Sequence, residues 1–184
     1  MHWSFASQLL VTVTNFATGV AAARLLGLEA FGQIALVLVV MAFCDLVQST
    51  FLTLPMMTHC GRRGGERRGY FAAISRIGLV LSLASGLFAA VVIGALFGLR
   101  DGSVALSLVL AAGAATLCQN LYLTERRIAF ARERGRTALA MDVGRFILLA
   151  IGIGGFVLAD AEATVAVVLA LIAVSMALPV LPSL

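Results

Sequence analysis

Charged and apolar positions are sharply separated along this chain. Residues 1–23, 77–99, 102–124 and 163–184 carry no charged side chain, and 30–61 carries only Asp45. A helix needs about 20 predominantly apolar residues to cross the hydrocarbon core of a bilayer, and each of these runs is long enough. The pattern predicts an all-α fold, a polytopic bundle of six transmembrane helices within one membrane domain over 1–184. The predicted spans are about 3–23, 33–56, 71–98, 103–123, 138–159 and 163–182. The second ends near Pro55, and the fifth crosses only by taking in Asp142 and Arg145.

Composition agrees with this pattern. Hydrophobic residues make up 61% of the chain and charged ones 12%, with a mean hydropathy of +1.06. A soluble domain is nearer half apolar and about a quarter charged. All 13 basic residues are arginines, as in the composition of GC-rich bacterial genomes. The arginines fall between the apolar runs, which is a topology signal and not a nucleic-acid-binding one. The 57–70 segment holds Arg62, Arg63, Arg67 and Arg68, and the 124–137 segment holds Arg126, Arg127, Arg132, Arg134 and Arg136. The alternate connections hold only Arg24 and Arg100. This bias predicts cytoplasmic N- and C-termini. Ala21-Ala22-Ala23 resembles a signal-peptidase site, but no basic residue precedes the long apolar run, which favours a span. Cys44 and Cys118 lie in apolar runs and Cys60 in a basic segment, without CxxC or metal-ligand spacing.

Function is then sought in the polar groups kept at membrane depth. Asp45 lies near the middle of the second span, with Gln48 one turn away. An ionised Asp there costs on the order of 3 kcal/mol on insertion scales. Two readings stand for Asp45: a proton- or cation-coupling site, or an interhelical hydrogen bond that fixes packing. Gln8, Thr12, Asn15 and Gly19 form a stripe at helical spacing on the first span, and Asn15 is expected to face the same interior as Asp45. Arg76 and Arg145 each lie about two turns inside a span, while Gln119, Asn120 and Tyr122 end the fourth. Two arginines at one depth suit a phosphate or pyrophosphate through forked hydrogen bonds. The alternative is snorkelling to the headgroups. Asp142 and Arg145, three apart, can pair along one helix face. Small residues spaced by four, such as Gly94 with Gly98 and Ala111 with Ala115, suit close helix packing, and Gly152-Ile153-Gly154-Gly155 reads as a packing surface or kink.

No catalytic constellation, metal-ligand cluster or phosphate-binding glycine loop is present in the sequence, so neither enzymatic activity nor a cofactor is expected.

The first span ends in Ala23-Arg24-Leu25-Leu26-Gly27-Leu28-Glu29-Ala30-Phe31-Gly32. This resembles the first periplasmic turn of Wzx-like polysaccharide-biosynthesis proteins, the O-antigen and exopolysaccharide flippases of the multidrug/oligosaccharidyl-lipid/polysaccharide exporter superfamily. Their usual form is Ala-Arg-x-Leu-Gly-Pro-x-x-Phe/Tyr-Gly. Leu28 stands where proline is usual, whereas Gly27 and Gly32 are kept and suit a helix C-cap and a tight re-entry. The resemblance implies a bacterial inner-membrane protein that flips an undecaprenyl-pyrophosphate-linked oligosaccharide for lipopolysaccharide or exopolysaccharide synthesis. It implies a gating or structural role for Arg24 at the periplasmic mouth. It makes Arg76 and Arg145 candidates for the pyrophosphate; Asn15, Gln119 and Asn120, as polar groups of the first and fourth spans, are candidate substrate contacts. Family members have twelve to fourteen spans in two lobes, so this chain resembles the N-terminal lobe. The resemblance therefore leaves three expectations: a homodimer or a second half-lobe that rebuilds the cavity, a truncated or regulatory half-transporter, and a small-molecule exporter of the same superfamily.

Overall fold

The computed structural model describes residues 2–60, 67–101, 106–158 and 164–181. Apart from turns these are all helical, and no strand occurs among them. The helices are α1 (His2–Gln48), a π-helical turn (Ser49–Thr53), α2 (Leu54–Cys60), α3 (Arg67–Asp101), α4 (Leu106–Ala131), α5 (Gly135–Leu158) and α6 (Val165–Ala177). Among the described residues four helical stretches are long and apolar enough to cross a membrane, and Val165–Ala177 is a shorter apolar helix. The outer surface of the bundle is greasy: Phe16 is 74% exposed and Phe51 72%. Apolar side chains turned outward in this way suit lipid as the surrounding solvent.

α1 is broken at Gly27, whose φ of 76° and ψ of 177° lie in a region open essentially to glycine alone. The two arms on either side pack against different helices. The first arm runs parallel to α5, with Trp3 beside Gly135, Ser7 on Asp142 and Asn15 on Arg145. The second runs antiparallel to α3, with Phe43 against Phe88, Cys44 reaching the Ser85 carbonyl and Gln48 reaching Ser82. α3 is antiparallel to α4, as Ser75 with Glu125 and Gly86 with Gly113 show. α5 returns antiparallel to α4, so the two arms of α1 run in opposite senses. Gly27 thus stands at the break between the two arms, in an extended positive-φ conformation and not in the left-handed one of a helix C-cap. Gly32, by contrast, is an ordinary helical residue with open space around it and makes no tight re-entry.

α2, α3 and α4 extend past the predicted span ends, whereas α6, at 13 residues, falls short of the predicted 163–182. α2 continues beyond Pro55, and the π-helical turn lies just before it. Proline lacks an N–H, and its ring crowds the carbonyl four residues back; one wider turn accommodates both effects without ending the helix. The larger difference lies in the segment 124–137, read from the sequence as an arginine-rich loop. Nearly all of it is helical, and α4 and α5 are joined by only Arg132, Glu133 and Arg134. There Glu133 N–H donates to the Phe130 carbonyl and Arg134 N–H to the Ala129 carbonyl, both at 2.9 Å. This is a Schellman closure with Glu133 at φ 61° in the position that glycine usually takes.

The apolar core is built from Ile34, Val37 and Met41 of the second arm, Ile93 of α3, Leu149 of α5 and Leu169 of α6. α3 and α4 approach closely where a side-chain carbon on Gly86 would lie 2.8 Å from the Gly113 carbonyl oxygen. Gly152 likewise lies against Leu171, whereas Gly154 and Gly155 face open space.

Candidate functional site

α4 carries polar groups down two of its faces, and each face meets a different arm of α1. Toward the first arm and α5 lies a buried network centred on Asp142, which is 1% exposed. Its carboxylate accepts hydrogen bonds from Ser7 Oγ and Tyr122 OH. Arg126 Nε lies 3.0 Å from one carboxylate oxygen and donates to the other at 3.2 Å. Arg126 Nη2 also donates to Ser7 Oγ at 2.7 Å. A carboxylate with this many donors is compensated for its desolvation.

Arg145 lies one turn along α5 from Asp142 and is only 7% exposed. The expected pairing of these two residues along the helix face is not the one formed. Arg126 reaches Asp142 from α4, while Arg145 donates to Asn15 Oδ1 at 2.8 Å and stands 5.6 Å from the centre of the Tyr122 ring. Its Nε has no hydrogen-bond partner among the described residues. The cluster thus holds two guanidiniums and one carboxylate, and the guanidinium left without a bound carboxylate is that of Arg145.

Toward the second arm of α1 and α3 lies the other group. Asp45 pairs with Arg127, with Nη1 3.0 Å from Oδ1 and Nη2 donating to Oδ2 at 3.2 Å. The pair is half-buried. Arg127 also donates to Thr53 Oγ1 at 3.4 Å. Gln48 donates to Thr124 Oγ1 at 2.6 Å and to Ser82 Oγ at 3.3 Å. Asn120 is buried beside this group, and its side-chain amide has no partner among the described residues. Asn15 and Asp45 therefore face different neighbours, against expectation, because the first arm follows α5 while the second follows α3 and α4.

The other predicted site residues are not gathered with these. Arg76 is exposed on α3 and bonds to no other described residue, so it does not share a site with Arg145. Arg24 is exposed on α1 close to the Gly27 break, and Gln119 is half-buried on α4 without a described partner. Arg126, Arg127, Ser7 and Thr53 were not among the sequence-derived candidates. The two arginines have the sequence character of loop charges, and Ser7 and Thr53 carry no signal until their partners are brought near.

The stripe on the first arm is exposed at Gln8, Thr12 and Asn15. Thr12 satisfies its hydroxyl on the Gln8 carbonyl of its own helix, while Gln8 and Asn15 are exposed and Asn15 also accepts from Arg145. Among the described residues no three His, Cys, Asp or Glu side chains come together as a metal site. Comparison with known proteins found no matching family model, no matching curated protein and no matching solved structure.

Proposed function

We propose that the chain is a lobe of a transporter that carries a lipid-linked oligosaccharide with an anionic pyrophosphate across the bacterial inner membrane. The observation that carries this reading is Arg145: a guanidinium 7% exposed, bonded to a neutral amide, next to an ion pair already complete without it. Uncompensated positive charge in hydrocarbon is costly, and a phosphate group supplies the compensation with matching geometry. Asn15 links Arg145 to the exposed polar stripe, which gives an anion a route along the first arm. Each arm of α1 is read as one crossing, which gives six in all and returns the chain to its starting side. With Arg126 and Arg127 inside the bundle, Arg62, Arg63, Arg67, Arg68, Arg132, Arg134 and Arg136 still outnumber Arg24 and Arg100, which favours cytoplasmic termini.

A polar stripe of this kind is disfavoured against lipid, so a second polar surface is expected to cover it, either a second copy or another lobe. Transport then proceeds by rocking of one lobe against the other about the site between them. The same stripe supports a second reading, a half-transporter module that docks on another membrane protein. A cationic-drug exporter has less support, because Asp45 already holds Arg127.

Complementation of a flippase-deficient strain tests the reading. Arg145→Ala is expected to abolish surface polysaccharide at normal expression, with Arg145→Lys retaining part of it. Arg76→Ala is expected to leave it intact. Wild-type polysaccharide in the Arg145→Ala strain would remove Arg145 as the anion site.

A further inference from the structure

A cleft of about 610 Å³ opens at the α4–α5 turn, away from the Asp142 network. Its volume falls within the range of small-molecule sites. Its lining is graded. Arg132 and Arg134 stand at the head of the cleft with Thr137, both arginines exposed. Below them the walls are Ile128 and Ala129 of α4, then Met141, Ile147 and Leu148 of α5, closed by Leu178 after α6. Gly144 and Pro179 back the cleft where α5 meets the end of α6; a side-chain carbon on Gly144 would lie 3.4 Å from the proline ring.

The turn backbone and the Arg132 side chain are held in place. The Schellman closure fixes the backbone of the turn, and the Arg132 guanidinium lies 4.7 Å from the centre of the Phe71 ring. The turn also lies at an interface level: Arg136 stands 5.3 Å from the centre of the Trp3 ring at the same end of the bundle, and tryptophan with arginine is the usual furniture of the headgroup region. The acid in the lining, Glu125, accepts from Ser75 of α3 and lies seven residues before Arg132, about 10 Å deeper along the helix. It does not oppose an anion held at the arginines.

Cationic head, apolar walls and interfacial depth together fit one class of ligand. We propose that this cleft is a binding site for an anionic phospholipid, with its phosphate on Arg132 and Arg134 and one acyl chain lying between α4, α5 and the end of α6. Basic pockets between membrane helices hold acidic headgroups in this way. The site is separate from Arg145 and does not depend on the transport reading.

The test uses the full chain in nanodiscs of equal phosphatidylglycerol and phosphatidylcholine, released for native mass spectrometry. The wild type is expected to retain phosphatidylglycerol in preference to phosphatidylcholine. Arg132→Gln with Arg134→Gln is expected to reduce that preference about tenfold. Ala140→Trp, placed on an exposed lining position, is expected to fill the cleft and remove the retained lipid; Ile147→Trp serves the same purpose should the first variant not fold. Equal retention of both lipids by the wild type would overturn the proposal, as would unchanged retention in both the arginine and the tryptophan variants. Displacement of phosphatidylglycerol by a small fraction of undecaprenyl phosphate would also overturn it, since the cleft would then belong to a polyprenyl carrier.

Discussion

Arg126 and Arg127 are neighbours on α4, yet they hold carboxylates on different helices, Asp142 of α5 and Asp45 of α1. Successive residues on a helix point about a quarter-turn apart, so one dipeptide ties α4 to two partners at once. The two pairs differ in burial. The Arg126 and Asp142 side chains are 12% and 0% exposed, and those of Arg127 and Asp45 are 22% and 27% exposed.

That difference sets unequal costs. Removing one partner of a buried pair strands a charge and costs about 3–5 kcal/mol. Asp142→Ala is therefore expected to lower stability by about that amount, and Asp142→Ala with Arg126→Ala by less than the sum of the single changes. Thermal unfolding in detergent, arranged as a double-mutant cycle, measures this. Additive losses would mean that the pair is not coupled.

The outer pair should matter less. Asp45→Asn keeps a hydrogen-bond acceptor for Arg127, and a partly exposed pair contributes about 1 kcal/mol or less. The expected outcome is near-normal stability and preserved transport in the complementation strain. Loss of transport at normal stability would make Asp45 a coupling residue and not a packing one.

The backbone makes opposite demands at two positive-φ positions. Gly27→Ala forces a side chain into the φ 76°, ψ 177° conformation and is expected to cost about 1–3 kcal/mol. Glu133→Gly relieves the φ 61° turn and is expected to stabilise by about 1 kcal/mol. Gly32→Ala, in open helix, should be neutral or slightly stabilising. Melting temperatures of the three variants check the order.

Close approach at Gly86 gives another prediction. A methyl group there meets the Gly113 carbonyl, and interiors yield little to added volume. Gly86→Ala is expected to destabilise by about 1–3 kcal/mol, whereas Gly155→Ala, facing open space, should not. The same unfolding assay separates the two.

Much of the fold was legible because lipid imposes a simple rule on side chains. The apolar runs marked the helices, and Gly27 marked the reversal between Arg24 and Phe31. What the runs could not show was which charges lie inside. Arg126 and Arg127 border an apolar stretch and read as loop residues, since the acids that hold them are 16 and 82 residues away in sequence. Local spacing suggested Asp142 with Arg145; Arg126 takes Asp142 because α4 brings a guanidinium, a phenol and an arm of α1 to the same carboxylate. Arg145 and Asn15 were both legible as polar groups at depth, but their hydrogen bond depends on the first arm lying along α5, which no periodicity encodes.

If Arg145 receives the anionic group of a transported lipid, as proposed, its loss must stop transport. The direct measurement is flipping of a fluorescent undecaprenyl-pyrophosphate-linked oligosaccharide in proteoliposomes, read by dithionite quenching, for the wild type and Arg145→Gln. Protein-dependent flipping is expected, abolished by Arg145→Gln while the protein remains folded. Equal flipping by the two proteins, or none by the wild type, would contradict the proposed role of Arg145.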